Sequence, residues 1–131
     1  MRFISTKTHA TLDYVNGILL MVIPLFWLDQ AAAPSAIWTP VIVGALMFLQ
    51  ALMTDFEYSL SNSISIPAHL GVDIVAGIVL AASPWIFGFS DIVWIPHVVL
   101  GAIEILAALT TQMHRSEPAR DRHGRGRQVT A

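Results

Sequence analysis

The chain has 131 residues, of which 55% are hydrophobic and 12% charged, with a mean hydropathy of +0.65. A soluble domain carries about a quarter charged residues, so this composition excludes ordinary globular packing as well as disorder, coiled coil and collagen. The chain has no cysteine, which excludes disulfide scaffolds, Fe–S ligation and thiolate zinc sites.

Four apolar stretches follow in order: about Ala10–Leu28, Ala36–Met53, Leu70–Phe89 and Ile92–Thr111. Each is 18 to 20 residues long, and at ~1.5 Å per residue that is roughly 27–30 Å, the depth of a bilayer core. None alternates with a charged face as a soluble helix would. The expected fold is an all-α membrane protein with four transmembrane helices. The links Asp29–Ser35 and Gly88–Asp91 are short, which makes consecutive helices antiparallel neighbours. The longest link, Thr54–Ala68, is polar and rich in serine, and Ile66-Pro67 is placed to open the third helix. The resulting organisation is a first hairpin over 1–57 (helices about 10–28 and 36–53) and a polar linker over 58–68. A second hairpin follows over 69–113 (helices about 70–89 and 92–111), then a basic, disordered tail over 114–131.

Orientation comes from the charges. All seven basic residues lie at the ends, as Arg2, Lys7, Arg115, Arg120, Arg122, Arg125 and Arg127. An even number of crossings puts both termini on one face, and the positive-inside rule makes that face cytoplasmic. Trp27, Trp38, Trp85 and Trp94 all fall at the opposite boundary, where an amphipathic ring is best solvated. The expected location is a bacterial inner membrane. Arg2 and Lys7 before an apolar run, with Ala31-Ala32-Ala33 after it, resemble a signal peptide. An internal repeat argues instead for a retained helix.

Residues 9–27 set over 69–87 give seven identities in 19 positions: His9/His69, Asp13/Asp73, Val15/Val75, Gly17/Gly77, Ile18/Ile78, Leu20/Leu80 and Pro24/Pro84. Residues 44–54 over 101–111 give six in 11: Gly44/Gly101, Ala45/Ala102, Leu49/Leu106, Ala51/Ala108, Leu52/Leu109 and Thr54/Thr111. This pattern describes a duplicated hairpin whose halves insert the same way, related by a pseudo-two-fold axis along the membrane normal. Within the second copy, Ser83-Pro84-Trp85 resembles the tripeptide that names the SPW repeat family of small bacterial membrane proteins. The first copy keeps only the proline, as Ile23-Pro24-Leu25. The resemblance implies a fold and a membrane location, and brings no activity, cofactor or substrate.

The chemistry-bearing residues are few. Pro24 and Pro84 free the carbonyls of Leu20 and Leu80, and Ser83 can supply a hydroxyl donor; the break is either a hinge or a static kink. Gly17, Gly44, Gly77 and Gly101 allow close helix approach. His9–Asp13 and His69–Asp73 are i, i+4 pairs in the first turns at the inner end. They read either as a paired metal or proton site or as carboxylates that stabilise a helix start and orient a histidine. Glu104 and His97 break the repeat. A charged carboxylate at the middle of the fourth helix costs roughly 2.5–3.5 kcal/mol, so Glu104 is either functional or hydrogen-bonded to Gln50, Asn16 or a freed carbonyl.

The tail Arg115–Ala131 is expected to bind anionic headgroups, not nucleic acid. No phosphate loop, HExxH, nucleophile elbow or cysteine nucleophile is present. The function expected is a non-enzymatic structural or accessory membrane subunit without cofactor, homo-oligomeric or part of a membrane complex. The alternatives are a small oligomeric ion or proton conduit using Glu104 and His97, and a His/Asp metal-binding membrane protein.

Overall fold

The computed structural model describes residues 1–29 and 33–115. The chain forms α1 (Thr6–Trp27), α2 (Pro34–Met53), α3 (Ile66–Ile86) and α4 (Ile95–Thr110), with no strand among the described residues. The expectation for the tail falls on residues 116–131, outside the described residues.

Helix starts are set by local chemistry. α1 begins four residues before its apolar run because the Ser5 hydroxyl accepts from the Thr8 amide at 3.1 Å, capping the first turn. Pro67 stands in the first turn of α3 and Pro96 in the first turn of α4, where their missing N–H groups cost nothing. The last apolar stretch differs from expectation. α3 ends at Ile86, and the chain then turns through Gly88 at φ +72°. The amides of Phe89, Ile92 and Val93 close successive turns on Pro84 and Phe89 carbonyls at 2.8, 3.0 and 3.1 Å. α4 therefore starts at Ile95 and has 16 residues. α1, α2 and α3 are long and apolar enough to cross a membrane, by length and composition; α4 is apolar but shorter.

Packing runs along the chain: α1 on α2, α2 on α3, and α3 on α4. The tightest crossings are at glycines. A Cβ on Gly44 would lie 2.6 Å from the Gly17 carbonyl, and one on Gly101 would lie 2.5 Å from that of Gly77. Leu20, Val43, Met47 and Leu80 fill the centre. Outward faces carry exposed apolar side chains such as Ile18, Ile42, Leu46, Val75 and Leu106, far more than a surface in water tolerates.

The two ends of the bundle differ. Trp27, Trp38, Trp85 and Trp94 lie at helix boundaries of one end and are exposed, with the Trp85 and Trp94 rings 6.2 Å apart. At the other end two isolated bridges stitch the backbone, Ile4 beside Thr111 and Thr54 beside Ile64. The Ile4 amide bonds the Thr110 carbonyl at 3.0 Å and the Gln112 amide bonds Ile4 at 2.9 Å. Likewise the Ile64 amide bonds Met53 at 2.9 Å and the Asp55 amide bonds Ile64 at 3.0 Å. The segment preceding α1 is thus tied to the end of α4, and the segment preceding α3 to the end of α2.

Candidate functional site

His9 and Asp13 lie one above the other in the first turns of α1, and His69 and Asp73 do the same in α3. The structure brings these two pairs together at the stitched end. All four side chains are buried, and one ligand atom from each lies within 4.8 Å of the others. The shortest contact crosses between helices. His69 Nε2 is 2.9 Å from Asp13 Oδ2, and His9 Nε2 is 3.1 Å from Asp73 Oδ2. Within each helix the separations are 3.5 Å for His9–Asp13 and 3.1 Å for His69–Asp73.

A surrounding set of side chains holds this tetrad. Thr54 Oγ1 sits 2.7 Å from His69 Nδ1, and Thr111 Oγ1 sits 2.9 Å from His9 Nδ1. The Gln50 amide donates to Asp73 Oδ1. The linker residue Phe56, fully buried, sets its ring edge-on against both imidazoles, at 4.7 Å from His69 and 5.9 Å from His9. Next to it, Thr6 donates to Glu57 at 2.8 Å. The Arg2 guanidinium bonds the Thr111 carbonyl at 2.6 Å, fastening the chain end over the tetrad. Thr54 and Thr111 carry a signal in the sequence, because they are a matched pair in the second alignment. Phe56 carries none; only the return of the linker over the bundle puts it there.

Glu104 and His97 are also buried, at 4% exposure each, but they serve different places. The Glu104 Cβ lies against Gly77, one turn beyond Asp73, and its carboxyl is close enough to the tetrad to interact with Asp13, Asp73 and His69. Asn16 lies beside its carboxyl, and Oε1 has no hydrogen-bond partner among the described residues. Gln50, the other partner expected for Glu104, is committed to Asp73.

His97 lies two turns away towards the tryptophan end. Its Nε2–H donates to the Ala36 carbonyl at 3.0 Å, and its ring packs on Phe89 at 5.0 Å. The Ala36 carbonyl is the one that Pro40, inside α2, cannot engage for want of an N–H. His97 therefore replaces a helix bond that proline removed. Ser83 performs the local version of the same task, donating to the Leu80 carbonyl at 2.7 Å ahead of Pro84. Pro24 is likewise buried inside α1, and Trp85 stands exposed beside Trp94.

A family model described as the SPW repeat domain matches residues 7–111, from the first turn of α1 to the end of α4. The chain belongs to the SPW repeat family. Comparison with curated proteins and with solved structures returns no match. Family membership and the long apolar helices together indicate a membrane protein. The matched span of the SPW repeat domain contains the whole tetrad, both threonines, Glu104 and His97.

Proposed function

We propose that this SPW repeat protein is a multi-pass, non-enzymatic structural or accessory subunit of a bacterial inner membrane, homo-oligomeric or assembled with other membrane proteins. In this reading all four helices cross the bilayer as two tandem hairpins, and both termini are cytoplasmic. The observation that carries it is the division of the molecule along its length. Exposed tryptophans mark one end, Arg2, Lys7 and Arg115 the other, and apolar side chains face outward between them. α4 at about 24 Å reaches across if the exposed turn containing Trp94 lies in the headgroup layer.

The tandem arrangement is supported by paired contacts. Gly17 meets Gly44 as Gly77 meets Gly101, Ile4 meets Thr111 as Ile64 meets Thr54, and each histidine reaches the aspartate of the other hairpin. The accessory role is supported by how the buried polar groups are used: His97 and Ser83 mend breaks at prolines, and Gln50, Thr54 and Thr111 serve the tetrad. The basic residues after Thr111 are suited to anionic headgroups.

Because the chain lacks cysteine, single cysteines report topology directly. Asp91→Cys should react with a membrane-impermeant maleimide in intact spheroplasts, and Ser61→Cys only after permeabilisation; the reverse pattern overturns the orientation. The buried, unpaired Glu104 oxygen favours one second reading, a proton conduit. Proton flux in proteoliposomes that is abolished by Glu104→Gln would establish it in place of the accessory role.

A further inference from the structure

The two threonine hydroxyls fix the state of both histidines. Each hydroxyl has one hydrogen, and each lies 2.7 Å from a carbonyl one turn back, Gln50 for Thr54 and Ala107 for Thr111. With its hydrogen given to that carbonyl, the hydroxyl can only accept from the imidazole. Nδ1 of His9 and of His69 is therefore the protonated nitrogen that donates to threonine. In the neutral ring Nε2 is then a bare lone pair, and both Nε2 atoms point at carboxylate oxygens.

Lone pairs opposed in this way repel unless positive charge stands between them. A proton on a ring satisfies one nitrogen–oxygen contact, yet His69 Nε2 faces two carboxylate oxygens at nearly equal distance, 2.9 and 3.1 Å. A central cation satisfies all the contacts together. Four ligand atoms placed at ~2.0–2.1 Å around a tetrahedral ion stand roughly 3.3 Å apart. With Oδ2 as the ligand of each aspartate, three His–Asp separations, 3.1, 2.9 and 3.1 Å, lie near that value, and His9 reaches the other oxygen of Asp13 at 3.5 Å. One ligand atom from each residue lies within 4.8 Å of the others, so the cluster has to contract a little around the ion.

We propose that His9, Asp13, His69 and Asp73 bind one divalent transition-metal ion of the zinc class in tetrahedral geometry. Both Nε2 atoms and one oxygen of each aspartate are the ligands. Two carboxylates and two neutral imidazoles around a doubly charged ion make a neutral centre, as burial inside a membrane bundle demands. Mixed nitrogen and oxygen donors select this class over calcium or magnesium, which prefer six or more oxygens. Thr54 and Thr111 orient the rings from behind, in the way outer partners orient metal-binding histidines. Gln50 occupies Asp73 Oδ1 and leaves Oδ2, the oxygen close to both Nε2 atoms, for the ion.

The test uses the full chain, purified in detergent and stripped with a chelator. Titration with Co²⁺ should give one equivalent of binding with the intense visible absorption of a tetrahedral ion, and Zn²⁺ should displace it. The double variant Asp13→Asn, Asp73→Asn should lose that spectrum. Thr54→Val and Thr111→Val, which keep the ligands, should each weaken binding about 10- to 100-fold. A folded native chain without a stoichiometric tetrahedral spectrum overturns the proposal. So does a spectrum that persists in the double variant, or folded threonine variants with unchanged affinity. Should the double variant not fold, the native chain and the threonine variants decide.

Discussion

The two ends of this bundle solve the same problem, buried polar groups in an apolar setting, by opposite means. At the tetrad end the ionisable groups of α1 and α3 answer one another, and two backbone bridges close over them. At the tryptophan end the disturbances are prolines, two of them repaired singly: Pro40 by His97 and Pro84 by Ser83. A cavity of about 110 Å³ remains there, lined by Pro24, Pro40, Pro96, Leu80, His97 and Leu100. The first end is one cooperative unit; the second is a set of independent repairs around unfilled space. The His–Asp contacts between α1 and α3 gather at the tetrad end, while at the other end the single His97–Ala36 bond ties α4 to α2.

The sharpest way to break this contrast is to remove one member of the tetrad. Asp73→Ala strands both imidazoles and the Gln50 amide, and should cost about 3–5 kcal/mol in reversible unfolding, the usual penalty for leaving a buried charge uncompensated. Gly101→Val should come next. Its side chain would enter the space of the Gly77 carbonyl and Ala81, so α3 and α4 must part, at about 1–3 kcal/mol in thermal melts in detergent.

His97→Leu probes the other end. It leaves the Ala36 carbonyl without its donor and should cost ~1–3 kcal/mol. Pro40→Ala restores an amide for that carbonyl, so the double variant should unfold at a higher temperature than His97→Leu alone. The smallest effect is expected from filling the cavity: Leu100→Phe should change stability by no more than about 1 kcal/mol. Hydrogen exchange sharpens the same comparison, with amides around Asp13 and Asp73 protected more strongly than those around Trp27 and Trp94.

Much of the architecture was legible because a bilayer imposes a long apolar run, and length is a local property. The start of α4 was not. The apolar run continues through Ile92–Trp94, while the backbone there is spent on turns that follow Gly88, and Pro96 is the truer marker of the helix start. In the site, the i, i+4 spacing and the repeat single out His9, Asp13, His69 and Asp73 as a paired site, but not which histidine lies nearest which aspartate. The crossed partnership depends on α1 and α3 approaching each other, which no local pattern encodes. His97 and Glu104 both break the repeat, which groups them in the sequence as one candidate polar site. The structure separates them, since Pro40 on α2 creates the demand that His97 meets. Polarity alone makes Gln50 one of three candidate partners for Glu104, and it serves Asp73 instead.

The bridges at the stitched end have one more consequence. Phe3 and Ile4 lie against Thr110 just as Ile64 lies against Met53, so the backbone comes close to describing a closed loop. Where such a loop is cut matters little to the contacts that hold it. Joining residues near Arg2 and Arg115 with a short linker and opening the chain at Ser61–Ser63 should give a permuted protein that inserts and melts much as the original does. Order along the gene and order in the bundle are, for this molecule, separable.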